Sequence, residues 1–294
     1  MKYKIGVIIS CYNEEKNIPK IYEKLIDSIK TSKKIKDYII YFIEDNSKDK
    51  TKANIKKIIK NDKKVKLISF SKRMGKSIGL QVGFNNIDKS IDLVFMMDAD
   101  LQDDPKEIDK FIKKIEEGYD LVSGYKKNRK DSIEKKTASK VYNKFVNLVF
   151  RMDLHDHNCG FKCFRKEVLK DLKIYDNLHR YITVFVKEKG YSIGEIEVAH
   201  HKRIHGKSKY GITRYFIGFK DMVGVKYILL HQKKLSFILD IMIIAIMALL
   251  LLINKILFMV LICIYLIIYL ILLYNLKKYQ KFDINTYKDY YKIY

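Results

Sequence analysis

The chain lacks several sequence features that would assign it at once to a familiar class. Its 294 residues contain neither a Gly-x-Gly-x-x-Gly turn nor a Walker-type phosphate loop, which argues against a dinucleotide-binding fold and a P-loop enzyme. Only two prolines, no low-complexity linker and no internal repeat are present, so the sequence shows no obvious hinge. The four cysteines have no spacing that demands disulfides, which suits a reducing compartment.

Arginine is also scarce, although the chain is strongly basic. The net charge is +24, but only seven of the 58 basic residues are arginines. Such a charge suits nucleic acid, an anionic membrane surface or phosphate-rich ligands, and a lysine-rich solvated surface explains it as well. No nucleic-acid partner is therefore predicted. The few arginines are more informative, because lysine cannot reproduce the planar fork that binds phosphate through two hydrogen bonds.

Two long apolar stretches stand near the C-terminal end. Residues 235–253 carry a single charge, Asp240, and residues 256–276 carry none. Each approaches the roughly 20 apolar residues that span a bilayer. A buried hairpin of a soluble protein is the alternative, but such helices normally show a polar face. The sequence therefore predicts two transmembrane helices within residues 234–278, in contact with the lipid bilayer.

Basic residues flank this hairpin and predict its orientation. Lysines precede the first span and follow the second, and one lysine lies in the connector: Lys226, Lys233, Lys234, Lys277, Lys278, Lys281 and, in the connector, Lys255. By the positive-inside rule both ends are cytoplasmic. The early run Ile5–Ile9 is too short for a signal-peptide core, so we expect the large domain to be cytoplasmic and the protein to be a multi-pass cell-membrane protein.

The segments beside the hairpin are assigned less specific roles. Residues 211–233 mix apolar and basic positions, as in an amphipathic helix that lies on the membrane surface, although a core helix is the alternative. Residues 279–294 are predicted to form a cytoplasmic tail. The remaining residues 1–210 are long enough for one sizeable α/β domain.

Within residues 1–210, apolar runs alternate with helix-like segments. The runs rich in Ile, Val and Phe are Ile5–Ile9, Tyr38–Ile43, Val65–Phe70, Leu93–Met97 and Leu121–Val122. This alternation predicts an α/β fold with a doubly wound, mostly parallel sheet. Ligands of such sheets bind beyond the carboxyl ends of the strands, and polar clusters follow the first, second and fourth runs. We expect these clusters to meet at one edge of the sheet.

Two aspartates after the fourth run are candidate metal ligands. Asp98 and Asp100 are two residues apart on an extended segment, so both carboxylates can face one ligand. Hard oxygen ligands of this kind suit a divalent metal that also binds substrate phosphates. Capping of the next helix is the alternative, but Asp104, Pro105 and Glu107 already fit a capping box there.

Seven short motifs in fixed order give the chain a recognisable resemblance. They are Tyr12-Asn13-Glu14-Glu15, Glu44 through Asp49, Gly75-Lys76, Asp98 through Gln102, Gly124 through Arg129, Asp156 through Phe161, and Arg203 with Gly206 through Tyr210. Over about residues 4–215, the chain resembles the family 2 glycosyltransferases of the GT-A fold. Within that family it is similar to the dolichyl-phosphate mannose synthase and bacterial polyprenyl-phosphate glycosyltransferase branch.

The resemblance implies roles for the donor side of the site. Tyr12, Glu14 and Asp45 would hold the nucleoside of a nucleotide-sugar linked to UDP or GDP. Asp98, Asp100 and Gln102 would bind the diphosphate and a metal cofactor, Mg²⁺ or Mn²⁺. Ser10, Glu44 and Asn46 depart from the usual family residues, which leaves the identity of the nucleotide open.

It also implies roles for the acceptor side. Arg129, Arg203 and Lys209 would bind the phosphate of a polyprenyl phosphate acceptor, the two arginines as part of the catalytic set. Asp156 would act as a base or positioning group, and a loop-capping Asx turn is the alternative. His155, His157, Cys159 and Cys163 resemble a zinc cluster, but their spacing is not that of a standard site, and we interpret the cysteines as small buried residues.

The function implied by the resemblance is inverting transfer of a sugar to polyprenyl phosphate at the cytoplasmic membrane face. The alternative is a family 2 glycosyltransferase that acts on a different acceptor in cell-surface polysaccharide synthesis. A processive synthase typically carries a Gln-x-x-Arg-Trp motif, and this chain has no tryptophan. A non-catalytic basic module would leave Asp98 and Asp100 unexplained, and self-association stays open.

Overall fold

The computed structural model describes residues 2–127, 133–170, 172–201, 213–233, 235, 238, 240–243, 245–246 and 255–294. The chain divides into two compact units. One unit comprises Met1–Ile212 together with Ile284–Tyr294, and the other comprises Thr213–Asp283.

An eight-stranded sheet is the frame of the first unit. Its strands are β1 (Tyr3–Cys11), β2 (Ile35–Glu44), β3 (Val65–Phe70), β4 (Leu93–Asp98), β5 (Leu121–Tyr125), β6 (Lys162–Arg165), β7 (Ile193–Glu197) and β8 (Tyr291–Ile293). Their order across the sheet is β7-β5-β6-β4-β1-β2-β3-β8. β6 runs antiparallel to β4 and β5, and β8 runs antiparallel to β3, whereas the other pairs are parallel.

Helices cover this sheet and connect its parallel strands. They are α1 (Ile18–Thr31), α2 (Thr51–Asn61), α3 (Lys76–Asn85), α4 (Ile108–Glu116), α5 (Ile133–Phe150) and α6 (Ile182–Glu188). In α4, the buried residues Ile108, Phe111, Ile112 and Ile115 recur at helical spacing and form one apolar face. That face packs into the core with buried strand residues such as Phe95. Burial of these faces fixes each helix against the sheet.

The five strands predicted from apolar runs are confirmed, and three further strands join them. β6 and β7 supply only four and five residues, and β8 only three. A short strand that inserts antiparallel between β4 and β5 leaves no local periodicity that distinguishes it from a loop. The sheet is consequently mixed on both sides of β4, through β6 on one side and the edge strand β8 on the other.

The described part of the second unit is mainly helical. It contains α7 (Thr213–Gln232) and α8 (Lys255–Lys281), which pack through Tyr227, Ile228 and Leu276. Within the described residues, one segment, Met259–Lys281, is long and apolar enough to cross a membrane. It overlaps the predicted second span, 256–276. Most of the predicted first span, 235–253, lies outside the described residues.

The interval predicted as a cytoplasmic tail, 279–294, contains regular secondary structure. Residues 279–281 end α8, a 3-10 helix covers Ile284–Tyr290, and β8 then pairs with β3 in the first unit. The three tyrosines and the β-branched Ile293 within residues 290–294 are the signal that favours a strand here.

Candidate active site

A cleft lies at the carboxyl ends of β1, β2 and β4. Strand register brings the three ends together, because Ser10 pairs with Asp98 across β1 and β4, and Cys11 pairs with Glu44 across β1 and β2. Polar residues from all three polar clusters therefore line one cleft, as expected from the topology. Its lining includes Tyr12, Glu14, Asp45, Arg73, Gly75, Lys76, Asp98 and Asp100.

The wall of the cleft after β2 is built around Asp45. Its carboxylate accepts hydrogen bonds from the backbone N–H of Met74 at 2.6 Å and of Gly75 at 3.0 Å. Burial raises the pKa of Asp45, although these hydrogen bonds and Arg73 oppose the shift. Gly75 has φ of 85°, a conformation that a side chain would strain, so a glycine suits this turn before α3.

Tyr12 and Arg73 form the outer part of the same wall. The guanidinium carbon of Arg73 lies 4.1 Å from the centre of the Tyr12 ring, in cation–π geometry. Its Nε is also 3.9 Å from Asp45 Oδ2. A flat aromatic and guanidinium surface of this kind suits stacking against a nucleobase.

Glu14 lies in the cleft lining but also has a local structural role. Its carboxylate accepts a hydrogen bond of 2.6 Å from the side-chain amide of Asn17, and its backbone N–H donates to Thr51 Oγ1 at 2.8 Å. These contacts close the turn that precedes α1. A nucleoside ligand at Glu14 must share the carboxylate with this turn.

The floor of the cleft holds an ion pair between Asp98 and Lys76. Lys76 Nζ lies 2.5 Å from Asp98 Oδ1, and Lys76 is the first residue of α3. Burial alone would raise the pKa of Asp98, but the adjacent ammonium group holds it below its usual value. Next to this pair, His179 Nδ1 lies 2.7 Å from Ser77 Oγ, and burial keeps the pKa of His179 well below its usual value. His179 is thus a neutral neighbour of the floor that the sequence analysis missed.

Asp100 stands in a tight turn directly after β4. Its Oδ1 accepts a 3.1 Å hydrogen bond from the backbone N–H of Gln102, and Leu101 between them has φ of 62°, in the left-handed region. The Gln102 side-chain nitrogen lies 3.0 Å from His200 Nε2 and 3.4 Å from the carbonyl of His201. The turn therefore links the end of β4 to His200 and His201 through the Gln102 side chain.

The capping role predicted for Asp104 is confirmed. Its side chain accepts a hydrogen bond from Lys106 N at the start of the 3-10 helix Pro105–Glu107, which leads into α4. The Glu107 carboxylate pairs with Lys110. Asp98 and Asp100 thus line the cleft while a different aspartate caps the helix.

The cleft residues fit a divalent cation that is shared with a substrate. Asp98 and Asp100 offer hard carboxylate oxygens, and a side chain at Gly160 would place its Cβ 2.7 Å from Asp98 Oδ2, so the loop approaches Asp98 closely only because it carries a glycine. Among the described residues, no group of three or more His, Cys, Asp and Glu side chains could hold a metal ion. The phosphate oxygens of a substrate and water would have to complete the coordination of Mg²⁺ or Mn²⁺.

The loop 155–161 approaches the cleft through Gly160, which lies against the Asp98 carboxylate. Asp156 is buried, and its Oδ1 accepts a 3.0 Å hydrogen bond from the backbone N–H of Asn158, which is an Asx turn. Glu195 on β7 accepts hydrogen bonds from the backbone N–H groups of His155 and Asp156. The local role that was weighed for Asp156 is therefore present, and its predicted catalytic role stays a prediction.

The three residues predicted to bind the acceptor phosphate, Arg129, Arg203 and Lys209, lie outside the described residues. The neighbouring Lys126 pairs with the buried Asp103, with 2.9 Å between Nζ and Oδ1. Burial alone would lower the pKa of Lys126, but the attraction of Asp103 raises it, so this amine carries its charge throughout the physiological range.

A network of buried polar side chains contacts the loop 155–161. His157 Nε2 lies 2.8 Å from Asn147 Oδ1, and His157 Nδ1 lies 3.0 Å from Thr183 Oγ1. Lys162 on β6 donates to Ser123 Oγ at 2.7 Å, and burial lowers its pKa. Sequence analysis missed Glu195 and Lys162; the only signal for Lys162 is a single charge among apolar residues.

The histidines and cysteines near this loop have separate environments. His155 Nδ1 lies 2.9 Å from Glu195, whereas His157 lies within the network around Asn147 and Thr183. Cys159 and Cys163 are free thiols that are 3% and 0% exposed. Their interpretation as small buried residues is confirmed.

Comparison with known proteins gives a family match over much of the first unit. The model of glycosyl transferase family 2 matches residues 6–173. Dodecaprenyl-phosphate galacturonate synthase of Rhizobium johnstonii is 28% identical over 236 residues, which cover 79% of this chain and 69% of that protein. Undecaprenyl-phosphate 4-deoxy-4-formamido-L-arabinose transferase of Proteus mirabilis is 31% identical over 212 residues, 72% of this chain and 64% of that protein. The chain thus spans about two thirds of the length of these relatives.

Solved structures share the fold. A mannosyltransferase of Pyrobaculum calidifontis in complex with GDP-Man and Mn²⁺ has a TM-score of 0.54 at 15% identity, over 77% of this chain and 64% of that one. Glucosyl-3-phosphoglycerate synthase of Mycobacterium tuberculosis, in complex with Mn²⁺, UDP and phosphoglyceric acid, has a TM-score of 0.56 at 15% identity, over 76% of each chain. The predicted α/β GT-A fold is confirmed.

Proposed function

The chain belongs to glycosyl transferase family 2, and from this premise we propose that it transfers a sugar from a nucleotide-sugar to a polyprenyl phosphate. The observation that carries the proposal is the cleft in which an aromatic and guanidinium wall, Tyr12 with Arg73, stands beside the paired carboxylates Asp98 and Asp100. The names of two relatives, which act on dodecaprenyl and undecaprenyl phosphate, support the lipid acceptor.

The donor nucleoside is assigned to the wall built from Tyr12, Glu14 and Asp45. Asp45 is held rigidly by two backbone N–H groups, so its remaining acceptor capacity is oriented into the cleft without a further loss of side-chain freedom. UDP and GDP both remain candidates, because stacking on Tyr12 and Arg73 tolerates either base.

The diphosphate is assigned to the floor, with Asp98, Asp100 and Gln102 as the residues that would hold Mg²⁺ or Mn²⁺. When bound, the cation would neutralise charge that develops on the departing nucleoside diphosphate. Lys76 already stands 2.5 Å from Asp98, so a second positive charge is in place at the floor. The Mn²⁺ complexes of two proteins of the same fold support a divalent cation here.

The reaction is a single displacement with inversion at the anomeric carbon. A phosphate oxygen of the acceptor donates its electron pair to form the new C–O bond, and the bonding pair of the old C–O bond leaves with the nucleoside diphosphate. A phosphate acceptor is already largely anionic near neutral pH, so little proton transfer is required. Arg129, Arg203 and Lys209 are proposed to bind its phosphate, and Asp156 to orient the attack.

A membrane location suits this acceptor. α8 exposes large apolar side chains along its length, including Met259, Leu266 and Leu270, and its segment Met259–Lys281 is long and apolar enough to span a bilayer. Together with a second span over 235–253, it would make a two-helix hairpin with the catalytic unit on the cytoplasmic side. Such an anchor contributes proximity to a lipid substrate rather than chemistry.

The test is a product analysis with purified full-length protein in detergent. A panel of UDP- and GDP-sugars, Mg²⁺ or Mn²⁺, and a polyprenyl phosphate is incubated with the protein, and the lipid is analysed by mass spectrometry. We expect one donor to add a single sugar to the lipid, and excess chelator to abolish the product. The matched polyprenyl alcohol without its phosphate should remain unmodified.

Two results would overturn the proposal. Sugar transfer to the alcohol would remove the phosphate as nucleophile, and transfer only to a non-lipid acceptor would favour the alternative role in polysaccharide synthesis. The Asp100→Asn variant serves as the catalytically impaired control for background transfer.

A further inference from the structure

The last five residues complete one edge of the catalytic sheet. Leu67 on β3 and Tyr294 exchange both backbone hydrogen bonds, at 2.9 and 2.8 Å. Further along, the backbone N–H and the hydroxyl of Ser71 both donate to the carbonyl of Tyr290, at 2.8 and 3.2 Å. The segment Tyr290–Tyr294 therefore pairs with β3 from its middle to just beyond its carboxyl end.

Side chains fasten the same segment to the first unit. The ring of Tyr291 packs on Phe70 with 5.7 Å between centroids, and Lys56 Nζ lies 4.4 Å from the centre of the Tyr294 ring. Lys72 Nζ lies 3.7 Å from the centre of the Tyr290 ring. Each of these is an aromatic or cation–π contact, so the attachment is made by side chains as well as by the strand ladder.

The strand that receives this segment leads directly into the donor wall of the cleft. β3 ends at Phe70, and the next five residues, 71–75, run to the start of α3. This loop supplies Arg73, which stacks on Tyr12, and the backbone N–H groups of Met74 and Gly75, which hold Asp45. Two of its residues, Ser71 and Lys72, are the ones in contact with Tyr290.

We propose that the C-terminal segment Tyr290–Tyr294 positions the loop 71–75 for donor binding. The inference rests on the proposed role of this wall as the nucleotide site. The segment holds Ser71 and Lys72, the first two residues of the loop, in place. Arg73, Met74 and Gly75 are therefore already partly ordered, and less conformational freedom is lost when the nucleotide binds. The donor site is then less ordered in a protein that ends before residue 290, although the residues assigned to the site itself, Tyr12 through Gln102, all lie far earlier in the chain.

Edge protection is a simpler role for an added strand, because an uncovered edge invites pairing with other chains. The two roles differ in what they predict for Tyr290. Edge protection needs the backbone ladder of β8 and is indifferent to the Tyr290 ring, whereas loop positioning requires the contact between that ring and Lys72.

The experiment measures binding of UDP and of GDP to the full chain in detergent by calorimetry, together with donor KM and kcat. Four variants are compared with the unmodified chain: removal of residues 290–294, Tyr290→Ala, Tyr290→Phe and Lys292→Ala. Lys292 is an exposed residue of β8 and serves as the matched control. Tyr290→Phe keeps the ring over Lys72 and should rescue binding.

We expect removal of the segment to weaken nucleotide binding about tenfold and Tyr290→Ala about threefold, in KM more than in kcat. Tyr290→Phe and Lys292→Ala should bind within twofold of the unmodified chain. Equal binding by Tyr290→Ala and the unmodified chain would overturn the inference, and this variant decides the matter if the shortened chain does not fold. If the unmodified chain binds neither UDP nor GDP, the proposed function fails instead.

Discussion

The proposed donor and acceptor sides of the site are built by different means. On the donor side, functional groups stand at the ends of parallel strands, and backbone N–H groups or a neighbouring turn hold them, as in Asp45 and Asp100. On the acceptor side, the loop 155–161 lies on buried polar residues that pair with each other, as in His157 with Asn147 and Lys162 with Ser123. Strand ends thus present ligand groups directly, whereas the acceptor side depends on the shape of a loop.

This difference predicts that substitutions on the donor side mainly change turnover, whereas those on the acceptor side also change the stability of the fold. Replacement of the Asp100 carboxylate by an amide should change turnover with little change in stability, because the amide oxygen can still accept the hydrogen bond from Gln102 N. Removal of a buried acceptor-side group should change stability as well, because a buried polar partner is left without its hydrogen bond. Four variants test the comparison, and they are described from the largest expected effect to the smallest.

Asp100→Asn should have the largest effect. The amide keeps an oxygen for the hydrogen bond from Gln102 N but loses the charge that is proposed to bind the cation. We expect kcat to fall about a thousandfold, the size of a lost electrostatic contribution, with an unchanged melting temperature. Asp104→Ala is the matched control: it should lower stability by about 1 kcal/mol through loss of the cap and leave kcat intact. Full activity of Asp100→Asn would remove the metal role.

Asp156→Asn tests the acceptor side by the same logic. The amide preserves the acceptor of the Asx turn to Asn158 N, so the loop keeps its shape while the charge is lost. We expect kcat to fall about a hundredfold, within the usual span for an acid–base or positioning group, with donor KM nearly unchanged. Near-normal turnover of Asp156→Asn, combined with an impaired Asp156→Ala, would mean that the residue only shapes the loop.

His157 should make the stability of the chain depend on pH. Burial, with a contribution from Lys162, lowers the pKa of His157 from 6.5 to about 3. Between pH 6.5 and 3, His157 binds a proton in the unfolded chain but not in the folded chain. Its contribution to stability is therefore fully present above pH 6.5 and is lost as the pH falls toward 3. At pH 5 the loss should be about 2 kcal/mol.

The measurement is thermal unfolding of the full chain between pH 7 and 5, with His157→Gln as the comparison. The glutamine variant should be less stable at pH 7 but should lose less stability on acidification, because it has no proton to take up. Parallel pH profiles of the two proteins would show that His157 is not the group responsible.

Arg73→Ala should have the smallest effect. The Arg73 side chain is 61% exposed, so its stacking on Tyr12 contributes modestly, and we expect donor KM to rise about threefold with kcat unchanged. The Arg73→Lys variant keeps the charge but not the planar guanidinium group, so its donor KM should return only partly to that of the unmodified chain. Lys60→Ala on the exposed face of α2 is the control. No change in KM for Arg73→Ala would mean that the nucleobase does not stack here.

The sequence alone determined the central sheet and the polar clusters that line the cleft. Five apolar runs predicted β1 to β5, and the polar residues that follow them fall at the carboxyl ends of parallel strands, where ligands bind. A capping box separated Asp104 from Asp98 and Asp100 for a local reason: N-caps depend on residues within one turn. Strand periodicity and helix caps depend on residues that are close together in the chain, so both can be predicted from the sequence without knowledge of the fold.

Tertiary structure alone decided which distant residues meet. Lys76 and Asp98 are 22 positions apart, and Glu195 contacts the loop around His155 from 40 positions away. The attachment of Tyr290–Tyr294 to β3 bridges more than 200 residues and places the last strand beside the donor loop. No local pattern encodes such contacts, because they depend on strand order and on which buried charges find partners once the core has packed.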